Sequence, residues 1–251
     1  MKIVVIGGTG LIGSKVVRNL IARGHDAMAA APSTGVDTIT GAGLGDALAG
    51  ADVVVDLANS PSFEEAAVKA FFETSGRNLF AAERAAGVRH HVALSVVGTD
   101  RLQQSAYFRG KFIQEDLIRA AGVPYTIVRS TQFFEFVGAI AQASADGDTT
   151  RQATAFFQPI ASDDVAAAVT DVALDAPRNG IAEIGGPDRV RIADLVEHFL
   201  KITHDPRTVV RDASADYFGA MLQDDTLVPA PGARLAATTF DTWFQKNQPA
   251  R

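Results

Sequence analysis

Cysteine is absent from this 251-residue chain, so disulfide staples, thiolate metal ligands and cysteine nucleophiles are excluded at the outset. The five histidines show no ligand spacing, and His90 and His91 read as the start of a strand, so no metal site is expected. Positive charge is in deficit: 23 Lys and Arg face 29 Asp and Glu, a formal net charge of -6. Nothing resembles the clustered basic face that nucleic-acid binding requires. No apolar run comes near the roughly 20 residues of a membrane span before a charge, Gly or Pro interrupts it. Neither nucleic acid nor membrane is therefore expected as a partner. Internal repeats, low-complexity tracts and a leader-like apolar region are also missing. The expectation is a cytoplasmic protein with a small-molecule substrate, its oligomeric state left open.

What is present is alternation. Short β-branched runs at residues 3–6, 53–57, 92–96 and 125–128 read as strands, with weaker ones at 27–30 and 36–39. Helical patterns separate them at 11–22, 63–86 and 106–121, the last ending in Gly122 and Pro124. Such alternation predicts an α/β fold, a doubly wound parallel sheet with helices on both faces. Beyond residue 150 the pattern changes: strands at 153–157 and 182–184, then helices at 163–174, 192–202, 213–222 and 239–245. Two parts follow, a nucleotide-binding domain over 1–150 and a smaller, mostly helical substrate lobe over 151–251, interleaved with the first.

Directly after the first strand comes Gly7-Gly8-Thr9-Gly10-Leu11-Ile12-Gly13, a G-x-x-G-x-x-G loop at the mouth of a helix. Gly7 permits a tight turn, Gly10 lets backbone approach a pyrophosphate and Gly13 allows close helix–strand packing. Free N–H groups and the helix dipole attract phosphate there. Gly7, Thr9, Gly10, Leu11, Ile12 and Gly13 are thus candidate contacts to a dinucleotide. The residue that reads the adenosine ribose belongs at the end of the second strand, where the chain runs Ala31-Pro32-Ser33-Thr34. No acid stands there to hold a 2'-hydroxyl and no Arg to grip a 2'-phosphate. Ser33 and Thr34 are candidates to bond that phosphate, which favours NADP over NAD, although Pro-Ser-Thr also makes a plain turn. Asn59 lies after the third strand, at the sheet edge where ligands bind, in a sequence that also suits a turn and helix cap.

Tyr107-Phe108-Arg109-Gly110-Lys111 is Y-x-x-x-K within a helix, so Tyr107 and Lys111 share one helical face, and Ser95 ends a strand twelve positions earlier. With the glycine loop, these residues resemble the short-chain dehydrogenase/reductase superfamily. Within it the chain looks like the atypical, NmrA-like branch, on the loop itself, on Tyr125-Thr126-Ile127-Val128-Arg129 followed by Gln132-Phe133-Phe134, and on Pro159-Ile160-Ala161-Ser162-Asp163-Asp164-Val165. The resemblance implies a Rossmann fold and an NAD(P)-dependent oxidoreductase. Tyr107 would give a proton to a substrate carbonyl, Lys111 would lower the tyrosine's pKa and hold ribose hydroxyls, and Ser95 would orient the carbonyl oxygen. Asn78 matches the superfamily's helix asparagine and would place a water near Lys111. The chain departs from many branch members in lacking a basic residue after the second strand. Other members have lost the tyrosine and act as nucleotide-sensing regulators. Retention of Tyr107 favours an enzyme acting on a small carbonyl, enone or quinone-like compound; the sensor is the alternative. Phe133, Phe134, Phe157 and Tyr217 supply aromatic surface for a flat apolar substrate, or else pack the second lobe.

Overall fold

The computed structural model describes residues 1–247. Its central sheet begins with β1 (Lys2–Ile6), whose Ile3, Val4, Val5 and Ile6 are all buried. Helix α1 (Leu11–Ala22) buries Ile12, Val16 and Leu20, one stripe at four-residue spacing, as it returns to β2 (Asp26–Ala30). A short α2 (Leu44–Leu48) leads to β3 (Val53–Asp56), and the long α3 (Glu65–Ala86) leads to β4 (His90–Val96). Helix α4 (Ala106–Ala120) then connects to β5 (Tyr125–Ser130). A strand that is buried on both faces reads as a continuous apolar run, as Val53-Val54-Val55 does before the chain reaches Asp56.

After β5 the chain forms α5 (Val137–Ala143), β6 (Ala145–Asp146), β7 (Thr149–Gln152) and β8 (Phe156–Phe157). It then returns to the main sheet through α6 (Ser162–Leu174) and β9 (Gly180–Gly185). The remainder comprises β10 (Val190–Arg191), α7 (Ile192–Ile202), β11 (Thr208–Arg211), β12 (Asp216–Tyr217), β13 (Ala220–Met221), β14 (Arg234–Leu235) and α8 (Phe240–Asn247). The seven-stranded parallel sheet has the order β14-β9-β5-β4-β3-β1-β2. Its order reverses between β1 and β3, where a doubly wound sheet opens its ligand crevice. Among the described residues, no helix is long and apolar enough to cross a membrane.

The chain divides into two compact units, each discontinuous. Unit 1 comprises residues 1–95, 109–129 and 163–182; unit 2 comprises 96–108, 130–162 and 183–251. In this division α6 and the first half of β9 go with the sheet that β1 to β5 began. In unit 1, Gly110 of α4 allows close contact with α3: a Cβ there would lie 2.3 Å from Val68 Cγ1. The core of unit 2 gathers Phe134, Val137, Phe157, Ile192, Leu195, Val196, Tyr217, Leu227 and Phe240.

Two expected elements take other forms. Residues 36–39 are a turn rather than a strand, because Asp37 Oδ1 accepts from the Ile39 N–H at 2.7 Å and the Gly41 N–H bonds the Asp37 carbonyl at 2.9 Å. Residues 213–222 carry the hairpin β12–β13 instead of a helix. There the Gly219 N–H donates to Asp216 Oδ1 at 2.7 Å, and Phe218 and Gly219 take positive φ, 50° and 86°. The expected strand over 153–157 shrinks to its last two residues, which pair with Val190 and Arg191.

Candidate active site

The glycine loop is built at the limit of contact. Gly7 has φ 72°, and a Cβ on it would lie 2.9 Å from the Leu57 carbonyl oxygen at the end of β3. On Gly8 a Cβ would lie 2.6 Å from Ala29 Cα, and on Gly13 2.2 Å from the Gly7 carbonyl. Gly10 differs: its Cβ would meet only the Gly7 oxygen, at 3.3 Å. Gly10 is the N-cap of α1, and no side chain caps the helix. The N–H groups of the first turn therefore lack an intrahelical acceptor and make an anion cradle. Thr9 and Leu11 are exposed beside it, while Ile12 and Gly13 are buried as its packing base. A pyrophosphate fits this arrangement on backbone alone.

On the other side of β3, Lys111 is 3% exposed. Its ammonium donates to the Leu94 carbonyl at 2.7 Å and to Gln114 Oε1 at 2.5 Å, and it lies 5.0 Å from the Phe72 ring centre. Burial brings its pKa down to about 8, against the opposing pull of the Asp56 and Glu115 charges. Tyr107 lies one turn earlier on α4, half-buried, its ring edge-on to Phe108. In the core of unit 2 it adjoins Tyr217, whose phenol is pushed up by burial first and by Tyr107 second.

A family described as NAD(P)H-binding matches residues 7–176. The chain belongs to that family. Among its curated relatives is the chloroplastic divinyl chlorophyllide a 8-vinyl-reductase of Cucumis sativus. The two are 29% identical over 225 residues, 75% of this chain and 53% of the cucumber protein, so the chain spans about half of that relative's length. The photosystem II assembly factor Ycf39 of Cyanophora paradoxa is 24% identical over 215 residues, 78% of this chain and 67% of its own. Among solved structures, the NADPH-dependent quinone oxidoreductase QOR2 of Escherichia coli, complexed with NADPH, superposes with TM-score 0.72 at 20% identity, covering 98% of this chain and all of that one. A short-chain dehydrogenase/reductase superfamily protein of Agrobacterium tumefaciens with bound NAD gives 0.71 at 19% identity, covering 98% and 95%. This NAD(P)H-binding protein thus has the Rossmann-type fold of the short-chain dehydrogenase and NmrA-like reductases.

Several candidate residues of the NAD(P)H-binding protein make internal hydrogen bonds. The Ser95 hydroxyl, almost fully buried, donates to Glu115 Oε1 at 2.6 Å. Burial alone would raise that carboxyl, but the hydrogen bonds from Arg129 and Ser95 outweigh it and hold the group below the usual range. Ser95 therefore gives its hydroxyl proton to the Glu115–Arg129 ion pair. Asn78 donates through Nδ2 to the carbonyls of Thr38 and Ile39, each at 2.9 Å, so it clamps the loop before α2. The Thr34 hydroxyl accepts from the Ala31 N–H at 2.9 Å and donates back to the Ala31 carbonyl at 3.0 Å, closing its own turn. Exposed Ser33 is the hydroxyl left there, and exposed Asn59 stands at the carboxyl end of β3.

In unit 2, Phe157 is fully buried and is core. Phe134 packs edge-on against Phe240 and lines a 380 Å³ cavity with Leu195, His198 and Asp241. Tyr217 is buried, and Phe133 stacks on exposed Phe136 with ring centres 5.5 Å apart. Three residues that the sequence did not single out surround Lys111 in unit 1: Asp56, Gln114 and Glu115. In unit 2, the Gln132 amide nitrogen and oxygen are both buried without a partner. A visible signal existed for two of the residues around Lys111. Gln114 follows Lys111 by three on one helical face, and Asp56 is an acid closing an all-valine strand.

Proposed function

We propose that this chain is an NAD(P)H-dependent oxidoreductase that reduces a small apolar carbonyl, enone or quinone-like substrate, with NADPH preferred. The observation that carries the reading is the buried Lys111 ammonium one helical turn from Tyr107. Bound at the glycine loop, the dinucleotide would supply the hydride. Tyr107 would donate a proton to the substrate oxygen. A free phenol has a pKa of about 10, and each unit of lowering takes about 1.4 kcal/mol of differential interaction, which a desolvated cation provides. Lys111 would supply that charge and a donor for a cofactor hydroxyl. With Ser95 held by Glu115, the substrate oxygen falls to Tyr107. The Phe133–Phe136 stack offers a flat apolar surface, and the unpartnered Gln132 amide a polar pair for a ligand group. A cytoplasmic location and a small-molecule partner belong to the same proposal.

One observation favours a second reading, a redox sensor without turnover: Ser95 and Asn78 are both spent on internal bonds. A panel of NADPH and NADH oxidation assays against quinones, enones and aldehydes, with a binding titration of each dinucleotide on the same protein, separates the two. Turnover with any member supports the enzyme. Tight binding with no turnover across the panel supports the sensor, and tighter NADH than NADPH binding removes the cofactor preference.

A further inference from the structure

Within unit 1 a string of buried polar groups runs from α4 to the end of β3. Lys111 donates to Gln114 Oε1 at 2.5 Å, Gln114 Nε2 donates to Asp56 Oδ2 at 2.8 Å, and Asp56 Oδ1 accepts from the Ala58 N–H at 3.0 Å. Asp56, Gln114 and Lys111 are each less than 5% exposed. Only one orientation of the Gln114 amide satisfies both neighbours, oxygen toward the cation and nitrogen toward the anion. A charged pair separated by an amide is an expensive way to fill a core, since apolar residues of like volume would serve stability as well or better. Its position is informative: Asp56 immediately precedes Leu57, whose carbonyl closes on Gly7, and so borders the nucleotide crevice.

We infer that Asp56 and Gln114 are positioning residues for Lys111: they hold its ammonium charged and fixed, with its third N–H kept for a hydroxyl of the bound dinucleotide. This rests on the reading of Lys111 under the proposed function. The groups facing Lys111 are Asp56 from β3, the Leu94 carbonyl from β4, the Phe72 ring from α3, and Gln114 and Glu115 from its own helix. Glu115 is already neutralised by Arg129 of β5, with bonds of 2.9 and 2.8 Å. The His91–Glu83 pair, 2.7 Å apart, is the other titratable group reached by the Asp56 charge. Asp56 is therefore the carboxylate that answers Lys111.

The test uses the full chain and NADPH as probe. Titration of the Lys111 side-chain nitrogen by NMR, its signal assigned by loss in Lys111→Met, should show a midpoint near 8, moving down by about one unit in Asp56→Asn. The dissociation constant for NADPH should then rise about fivefold at pH 8 and hardly change at pH 6, where both proteins carry the charge. In Asp56→Asn/Gln114→Glu, carboxylate and amide exchange places, and the wild-type midpoint should return. If Asp56→Asn does not fold, Gln114→Met, which removes the amide bond but keeps the Asp56 charge, should show a smaller fall in the same direction. An unchanged midpoint and pH-independent loss of affinity, with or without a lower Tm, would overturn the inference by leaving Asp56 a merely structural role. Correct midpoints in a protein that never reduces a carbonyl would instead sink the proposed reaction and leave this assignment standing.

Discussion

Gly10 and Gly13 stand three residues apart in one loop, yet alanine should do opposite things at the two. At Gly13 the new methyl carbon would sit 2.2 Å from the Gly7 oxygen and 2.7 Å from Gly8 Cα. Ordinary carbon–oxygen contact is roughly 3.2 Å, so about 1 Å must be found between two backbone segments. Overpacking of this kind costs about 1–3 kcal/mol. At about 2–4 °C per kcal/mol for a chain of this length, Gly13→Ala should lower Tm by roughly 2–12 °C. At Gly10 the backbone already takes φ -78°, ψ -177°, ordinary for alanine, and only the Gly7 oxygen is near, at 3.3 Å. Gly10→Ala should therefore cost no more than about 1 kcal/mol as a poorer helix cap. A methyl there would stand at the N-cap of α1, where the first-turn N–H groups are free to take phosphate, and NADPH affinity should fall at least about tenfold, about 1.4 kcal/mol. Thermal unfolding gives the first quantity and calorimetric titration with NADPH the second. Wild-type affinity in Gly10→Ala would mean that the phosphates lie elsewhere; loss of affinity in strict proportion to loss of Tm would mean that the loop acts only through stability.

Tyr107→Phe should reduce kcat by at least about a hundredfold with any substrate that turns over, while leaving NADPH binding nearly intact; stopped-flow oxidation of NADPH reads both, and unaltered turnover removes the phenol from the reaction. Phe157→Ala should destabilise by about 3–5 kcal/mol, since the ring is fully buried in the core of unit 2, whereas Phe133→Ala should raise KM for an apolar substrate with a small change in Tm. Equal loss of Tm at both positions would mean that Phe133 is core as well. His90 is buried, with Nε2 2.9 Å from the Thr126 hydroxyl, and burial first, then the charge of His91, bring its pKa down to about 4. The unfolded chain takes up that proton at a higher pH, so this stability is present above about 6.5 and is lost as pH falls toward 4, on the order of 3 kcal/mol in all. His91 is shifted the other way and adds nothing to that acid loss. Chemical denaturation from pH 7 to 4 should show the slope in the wild type and lose most of it in His90→Gln.

The parts of this molecule that were legible in the sequence are those decided locally. The glycine loop, α1 and α4 each depend on neighbours within a few positions, and the apolar run Val53–Asp56 could only be an interior strand. Side-chain commitments were not legible, because they are settled by distant partners. Ser95 meets Glu115 twenty residues on, and Asn78 meets carbonyls forty residues back. The hairpin at 216–221 was hidden by an apolar spacing that also suits a helix; the Asp216 side chain bonding the Gly219 N–H decides against one. Fold class and cofactor class are therefore readable from the sequence, whereas the bonds that join Lys111 through Gln114 to Asp56 are not.

The order of the central sheet bears on how the chain comes off the ribosome. Strand β5 is complete at residue 130, but its outer neighbour β9 is not made until residue 185, with β14 later still. For more than fifty residues of synthesis, the edge of β5 presents a row of unpaired amide and carbonyl groups on a strand whose middle is Ile127-Val128. Strand β9 closes that edge, with the Thr131 N–H bonding the Ile184 carbonyl and the Asn179 N–H bonding the Tyr125 carbonyl. A fragment ending near residue 150 would hold the whole glycine loop and Lys111 and still be a sticky half-sheet. Aggregation of nascent or truncated chains is thus the hazard this topology carries, and the 163–185 segment is what relieves it.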